Sequence, residues 1–340
     1  MNRRGFLLGC AGCMAGLLCP IHAPAEERHM KALEGLRAAQ IQDDNLQLGC
    51  LKGALEYLHL PITAPWLAGC TAHAFVIHVT PGVCLGDVSS VLEDAYRDGT
   101  MARLGLNLGY ELDWRYVKGD HVAFQETRSK ALHDLRNAID AGHPCYMYHN
   151  FCYQMIGGYD GDGIYFAPDS FPGSNAGQGP VGLPDSHGFE LAIVRPANSH
   201  ADDLGAARDG IAYALKHREL DSANHGLSAY DNWIESIRTA ESTGTWRAIR
   251  AWESCRRLGV EFLIEAEEKL PGSLSPLLRA ARNHYEAVAG NLSSIAERSA
   301  AAKTEEVEPI GRDRTASELS AARDAEGRGM EALEQLVRAM

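Results

Sequence analysis

One apolar stretch near the start of the chain has the spacing of a buried helix. Cys50, Ala54 and Leu58 recur at intervals of four residues, with Leu51 and Leu55 beside them. This periodicity predicts a helix that has one face in a core and Cys50 in its first turn. The positive end of a helix dipole favours a thiolate there, which makes Cys50 a candidate nucleophile. A buried structural thiol is the alternative interpretation.

The segments that follow alternate between strand and helix patterns. Residues 73–79 are β-branched and aromatic and predict a strand. A helical stripe over residues 127–141 predicts a helix that Gly142 ends. Shorter patterns predict an amphipathic helix over residues 26–40 and favour a strand over residues 106–116. Four more strands are predicted, at residues 145–148, 153–156, 164–166 and 189–194, and a glycine-rich turn joins the second to the third.

After residue 197 the pattern is helical. Apolar stripes predict helices over residues 202–216, 227–237, 246–270 and 274–302. A charged stretch with Pro309 indicates an exposed linker, and the last helix, over residues 315–340, is expected to pack loosely. The predicted organisation is an α+β domain over residues 26–197, a helical domain over residues 198–302, and a linker with a terminal helix over residues 303–340.

Residues 1–25 have the features of an export signal. Arg3 and Arg4 precede an apolar segment that runs to about Ile21, and Ala23-Pro-Ala25 offers a small-x-small cleavage site. We therefore expect twin-arginine export of a folded protein to the periplasm or the medium, without a transmembrane anchor once the signal is removed. A lipoprotein is the competing interpretation, with Cys13 as the best lipidation position.

Composition narrows the range of partners. The 340 residues carry a net charge of −13, and removal of Arg3 and Arg4 with the signal leaves −15. This acidic balance argues against nucleic acid and anionic lipid as partners, and we expect a small molecule or a peptide. Six cysteines lie beyond residue 25, and their spacing does not resemble a dense disulfide framework.

Three motifs carry a family resemblance. They are Gly49-Cys-Leu-Lys-Gly-Ala-Leu-Glu-Tyr-Leu58, Trp66-Leu-Ala-Gly-Cys-Thr-Ala-His-Ala-Phe75 and Ile156-Gly-Gly-Tyr-Asp160. They resemble the N-terminal domain of the butirosin-biosynthesis protein H family, which is similar to the C39-type bacteriocin-processing peptidases. The resemblance spans most of residues 45–290. It implies a papain-like α+β fold in which a central Cys-bearing helix packs against an antiparallel sheet.

The same resemblance implies a Cys–His–Asp catalytic set. The nucleophile falls on Cys50 and the orienting carboxylate on Asp169. The family places its histidine six residues before Gly158, where this chain has Cys152, and the nearest histidine is His149. The implied function is cysteine-dependent acyl transfer, or amide or ester hydrolysis, with His149 as base. The alternative is a papain-like domain that binds a ligand or peptide without catalysis.

Residues 143–152 suggest a further alternative, a metal site. His143, Cys145, His149 and Cys152 supply the nitrogen and sulfur atoms that Zn²⁺ prefers. In a strand, His143, Cys145 and His149 would share one face. The spacing matches no standard zinc motif, so we expect no cofactor, with zinc or another soft-ligand metal as the alternative. Core thiols and a Cys145–Cys152 disulfide are the structural interpretations.

Overall fold

The computed structural model describes residues 30–41, 46–83, 92–119, 123–149, 152–168, 179–184, 188–219, 223–239, 245–302 and 311–340. The predicted export signal and Asp169 lie outside these ranges. The described chain is mixed α/β, with an antiparallel sheet followed by a helical C-terminal region. The coarse α+β organisation predicted from the sequence pattern is therefore confirmed.

The sheet contains seven strands among the described residues. They are β1 (Met30–Ala32), β2 (Tyr110–Val117), β3 (Cys145–His149), β4 (Cys152–Asp160), β5 (Gly163–Phe166), β6 (Val181–Gly182) and β7 (Phe189–Pro196). Their order is β2-β7-β3-β4-β5-β6, and β1 pairs with β4. The strand predictions for β3, β4, β5 and β7 are confirmed, and in the ambiguous stretch 106–116 the strand begins at Tyr110.

Alternation of side chains gives the sheet two different faces. Paired residues in the register share a face, so Asp113, Ile193 and Cys145 lie on one side, which we call the charged face. Trp114, Ala192 and Tyr146 lie on the other side, which we call the tyrosine face. The tyrosine face also carries Tyr116, Glu190, Tyr148 and Tyr153, and the charged face also carries Arg115, Met147, Cys152 and Arg195.

Five helices lie in the part of the chain that builds the sheet. They are α1 (Leu46–Tyr57), α2 (Ala64–Cys70), α3 (Glu93–Arg97), α4 (Thr100–Asn107) and α5 (Phe124–Asp140). Helix α5 covers the charged face, where Asp134 pairs with Arg115, and it confirms the helix predicted over residues 127–141. Helix α1 packs mainly against β4, while α3 and α4 pack against β2.

Two glycines let a segment of backbone lie directly on α1. Gly49 and Gly53 are four residues apart and so share one side of the helix. A Cβ atom at Gly53 would lie 2.1 Å from the carbonyl oxygen of Arg37, and one at Gly49 would lie 2.9 Å from that of Ala39. The Ala39 N–H donates to the Gly49 carbonyl at 2.9 Å. The two glycines therefore fix how the N-terminal segment crosses the Cys50 helix.

Two predictions for the N-terminal half are wrong. Residues 30–40 form β1 and an extended segment, because pairing with β4 satisfies the backbone; Leu33 and Leu36 are still buried. Residues 73–79 are not a strand. Instead, the carbonyls of Ala74 and Val76 accept hydrogen bonds from the buried Arg256 guanidinium, at 3.3 and 2.7 Å. A side chain from a distant helix thus replaces a neighbouring strand as the backbone partner.

The C-terminal region contains α6 (Asp203–His217), α7 (Leu227–Thr239), α8 (Thr245–Lys269), α9 (Ser275–Ala302) and α10 (Arg312–Ala339). These bounds confirm the predicted helices within a few residues. Loose packing of the last helix is wrong: α10 lies against α9 and α7, and Leu319, Leu333 and Leu336 are buried. Helix α2 packs against α8 and α6, so one hydrophobic core runs from the sheet into the helical region.

Candidate functional site

Cys50 is the fifth residue of α1, one turn further into the helix than the sequence pattern predicts. Its side chain is 1% exposed. Burial raises the pKa of the Cys50 thiol well above its ordinary value, and the neighbouring Cys152 thiol raises it further. Burial therefore opposes the predicted thiolate, and the role of Cys50 as a nucleophile stays a prediction. Desolvation of a buried charge outweighs the attraction of the helix dipole.

Among the described side chains, the ionisable groups shown to interact with Cys50 are a thiol and a phenol. Besides Cys152, the Tyr96 hydroxyl on α3 interacts electrostatically with the Cys50 sulfur. Among the described side chains, no histidine contributes to the pKa of Cys50. Neutral thiols and phenols do not stabilise a thiolate as an imidazolium does, so this surrounding does not activate the Cys50 sulfur.

The structure places the other two predicted catalytic residues only in part. The backbone of His149 pairs with Cys152 at the β3–β4 hairpin, so the predicted base is the direct neighbour of the position that the family gives to histidine. The side chain of His149 and the whole of Asp169 lie outside the described residues. Their catalytic roles stay predictions.

The strand register separates two of the four residues predicted to bind a metal ion. Cys145 pairs with Ile156, whereas Cys152 pairs with His149 at the other end of the same hairpin. Four residues of strand separate the two thiols by about 13 Å, too far for one ion or for a disulfide. Cys145 instead directs its thiol at the His143 carbonyl, 3.6 Å away. Within the described ranges, no group of three metal-ligating side chains is arranged to hold an ion.

A row of side chains across four strands forms a site that the sequence did not reveal. The register places Tyr116 of β2, Glu190 of β7, Tyr148 of β3 and Tyr153 of β4 side by side on the tyrosine face. We call these four residues the tyrosine row. The Tyr153 hydroxyl donates to the Glu190 carboxylate at 2.5 Å, and the rings of Tyr148 and Tyr153 are 5.2 Å apart.

Glu190 is the ionisable centre of the tyrosine row. Burial raises the pKa of its carboxyl, and the nearby Glu93 carboxylate on α3 raises it further. The hydrogen bond from Tyr153 and the charge of Arg97 oppose this shift. A half-buried carboxyl whose pKa is raised by burial and a neighbouring charge is a candidate functional group.

Further buried polar atoms lie beside the row. The hydroxyls of Tyr96 and Tyr146 are buried and interact with each other, although their contact does not have the length and angle of an ordinary hydrogen bond. The Trp114 indole nitrogen interacts with the Glu190 carboxyl in the same way, and its ring lies 5.7 Å from that of Tyr96. These polar groups therefore act on one another around Glu190.

A second cluster joins the two regions of the chain. The ring of His225 stacks on His217 of α6 with centroids 4.4 Å apart, and it meets the ring of His78 edge-on at 4.5 Å. His78 and His225 also form a backbone bridge. The cluster packs the segment after α2 against the start of α7.

A groove also runs along the exposed side of α1. It has a volume of about 490 Å³ and is lined by Glu34, Arg37, Glu56, Tyr57 and His59. These side chains are mixed in charge, and Gly53 of α1 also lines the groove. Cys50 does not line it, and its thiol is buried.

Comparison with known proteins assigns no family to this chain. No family model and no curated protein matches the chain. In the part of the chain that the structure describes, none of the helices combines the length and the apolar character needed to cross a membrane.

Proposed function

We propose that this chain is an exported papain-like binding protein in which Cys50 is a structural thiol and not a nucleophile. The observation that carries the proposal is the burial of Cys50, which is 1% exposed and whose pKa is raised by desolvation. A cysteine hydrolase or acyltransferase needs a reachable thiolate beside a base. The position that the resemblance gives to the base is occupied here by Cys152.

Two further observations support a papain-like binding protein. Helix α1 packs against an antiparallel sheet mainly through β4, as the resemblance to the butirosin-biosynthesis protein H family implies. The partly exposed Glu190 carboxyl, in register with Tyr148 and Tyr153, offers a polar contact to a ligand. Neither feature depends on a catalytic residue.

Thiol labelling tests the proposal. The native chain is treated with iodoacetamide at neutral pH, and mass spectrometry follows each cysteine. We expect Cys50 to react as slowly as the buried thiols of Cys70, Cys145 and Cys255, and all of them to react once the chain is unfolded. Selective labelling of Cys50 in the native chain, at about 10² times the rate of the other three thiols or faster, would overturn the proposal.

An acylation experiment provides the second arm. The chain is incubated with an activated thioester or p-nitrophenyl ester, and the intact mass is recorded with and without the substitution Cys50→Ala. A structural thiol predicts no acyl adduct that depends on Cys50. An adduct on the native chain that Cys50→Ala removes contradicts the proposal.

Cysteine-dependent acyl transfer is the second candidate. One observation favours it: the backbone of His149 pairs directly with Cys152, so a histidine is adjacent to the position that the resemblance assigns to the base. If Cys50 reacts rapidly, His149→Ala is expected to slow it by about 10²–10⁴-fold, the usual contribution of a general base. An unchanged rate in that variant would exclude His149 as the base.

A further inference from the structure

We propose that the groove along α1 binds a short peptide with free ends, its carboxylate at Arg37 and its ammonium group at Glu34. We call it the α1 groove and define it by its lining residues Glu34, Arg37, Glu56, Tyr57 and His59. The inference rests on the proposed binding function and gives that function a place and a ligand class. Three observations carry it: a preformed cavity, unpaired charges of both signs on its wall, and a histidine in a conformation that favours glycine.

The α1 groove has the size of a small-ligand site. Its volume of about 490 Å³ lies within the range of pockets that hold small molecules. A second concavity of about 320 Å³ is lined by two of the same residues, Arg37 and Glu56. Because the two spaces share these residues, a chain-like ligand would extend from one into the other. A peptide of a few residues has this elongated shape.

One wall of the α1 groove is a tight turn that the core holds in place. The Leu36 N–H donates to the Leu33 carbonyl at 3.3 Å, and between them Gly35 has a φ of +79°. A glycine in that position is what a type II turn requires. Leu33 and Leu36 are buried, so Glu34 is held at the exposed tip of the turn. The residues that follow lie on the glycine side of α1, and both walls are therefore formed before a ligand binds.

Two side chains of opposite charge on this wall have no partner within the described chain. Glu34 and Arg37 are exposed, and neither makes an ion pair or a side-chain hydrogen bond with any described residue. Glu56, in contrast, pairs with Lys52 at 2.7 Å. A guanidinium binds a carboxylate at two points, and a carboxylate accepts hydrogen bonds from an ammonium group. A ligand that carries both groups therefore matches the wall better than a ligand with a single charge.

His59 ends α1 in a conformation that glycine adopts more easily. Its N–H donates to the Glu56 carbonyl at 3.0 Å, and the Leu60 N–H donates to the Leu55 carbonyl at 2.9 Å. These two bonds form a Schellman motif, in which His59 takes the left-handed position with a φ of +57°. A side chain is strained there. The imidazole makes no hydrogen bond with the described residues and lies on the groove wall with Tyr57, so both rings are available to a bound peptide.

Calorimetric titration of the full chain tests the inference. The probe is trialanine, and N-acetyl-trialanine and trialanine amide each lack one of its two charges. We expect trialanine to bind, and each capped peptide to bind about 10- to 100-fold more weakly, the usual effect of losing a hydrogen bond between charged groups. Free L-alanine has both charges but cannot extend into the second concavity, so it should bind more weakly than trialanine. Equal affinities for alanine and trialanine would overturn the assignment to a peptide.

Two variants locate the ends of the peptide. Arg37→Gln should weaken the binding of trialanine about 10- to 100-fold but leave that of trialanine amide unchanged, because the amide has no carboxylate to lose. Glu34→Gln should behave in the same way toward trialanine and N-acetyl-trialanine. The matched controls Arg328→Gln and Glu126→Gln change exposed charges on α10 and α5 and should leave all affinities unchanged. Thermal unfolding confirms that each variant is folded.

A third variant separates ligand binding from stability. His59→Gly removes the backbone strain, so it should raise the melting temperature of the chain. The same change removes the imidazole from the groove wall and should weaken the binding of trialanine. A more stable variant that binds trialanine as tightly as the native chain would contradict the assignment of His59 to the site.

The outcomes separate this inference from the proposed function. The peptide site is wrong if trialanine does not bind, if both capped peptides bind as tightly, or if Arg37→Gln and Arg328→Gln have equal affinities, whatever the Cys50 labelling shows. If Cys50 labels rapidly while trialanine binds in a manner that depends on Arg37 and Glu34, the site is supported and the non-catalytic function is wrong.

Discussion

Arg256 on α8 and Glu326 on α10 form a two-point ion pair inside the helical region. The guanidinium Nε and Nη2 atoms donate to the two carboxylate oxygens at 2.8 Å each, and both side chains are 0% exposed. The Tyr230 hydroxyl donates to the same carboxylate at 3.1 Å. Arg256 also donates to the carbonyls of Ala74 and Val76, so one buried cation joins three helices to the segment after α2.

Removing one partner of this pair should strongly destabilise the protein. Glu326→Gln leaves an uncompensated buried guanidinium, and we expect a loss of about 3–5 kcal/mol in the free energy of unfolding. Arg256→Met has the same effect from the other side. The double variant Arg256→Met/Glu326→Leu should be less destabilised than either single variant, because no charge is left unpaired. Urea denaturation followed by circular dichroism measures the three values, and equal stability of Glu326→Gln and the native chain would contradict the prediction.

Substitution by alanine should have opposite effects on stability at two helical glycines, because Gly53 lies against residues 37–39 and Gly290 has open space around it. Gly53→Ala places a methyl group 2.1 Å from the Arg37 carbonyl oxygen, so the backbone must move; we expect a loss of about 1–3 kcal/mol. Gly290→Ala in α9 meets nothing within 4 Å and should gain about 0.5–1 kcal/mol through helix propensity. Chemical denaturation of both variants checks the pair. A neutral Gly53→Ala would show that the segment does not lie on α1.

His73 should make the protein less stable in mild acid. Burial lowers the pKa of His73 from 6.5 to about 4. Its Nδ1–H donates to the Thr71 hydroxyl oxygen at 2.8 Å, since that hydroxyl donates its own hydrogen to the Leu67 carbonyl. As the pH falls below 6.5 the unfolded chain binds a proton that the folded chain does not, so stability present above pH 6.5 is lost toward pH 4. The total is about 3 kcal/mol.

A matched pair of histidine variants isolates this effect. His73→Asn keeps a donor for Thr71 but cannot titrate, so its free energy of unfolding should fall less than that of the native chain between pH 6.5 and pH 4. His59→Asn changes an exposed histidine and should follow the native curve. Parallel curves for the native chain and His73→Asn would show that His73 does not contribute.

Removal of the Tyr153–Glu190 hydrogen bond should change the pKa of the Glu190 carboxyl. The bond opposes the raised pKa of Glu190, so Tyr153→Phe should raise this pKa more. The same change should destabilise the fold by about 1–3 kcal/mol, because the carboxyl loses its donor. Carboxyl carbon NMR titration, with Glu190→Gln for assignment, measures the shift. Tyr165→Phe, on β5, serves as the control. If it shifted the pKa of Glu190 as much as Tyr153→Phe does, the prediction would be contradicted.

The sequence predicted local structure better than the contacts that complete it. The stripe in residues 274–302 and the strands around the glycine turn at 157–163 depend on neighbours in sequence, so their periodicity was sufficient. Residues 73–79 have a strand composition, but two of their carbonyls, those of Ala74 and Val76, accept from Arg256, about 180 residues away. No local pattern contains that information. Residues 30–32 likewise follow their pairing with β4 and not their helical spacing.

In the candidate site, too, the local structure was predictable and the long-range contacts were not. The helix around Cys50 was predictable from its apolar face, but the protonation of the thiol depends on burial by the whole domain. The tyrosine row draws one residue from each of four strands, at positions 116, 148, 153 and 190, and only the register brings them together. Alternation within the predicted strands at 145–148 and 153–156 shows which residues of each strand share a face with Tyr148 or Tyr153. It does not show that these two tyrosines are neighbours, or that Glu190 of β7 lies beside Tyr148.

The separation of Arg256 and Glu326 in sequence has a consequence for biosynthesis. A ribosome makes Arg256 about 70 residues before it makes the carboxylate that neutralises it. Until α10 is complete, burying Arg256 would leave a bare cation in an apolar interior, which is strongly unfavourable. The helical region therefore cannot close stably around Arg256 before α10 has been made.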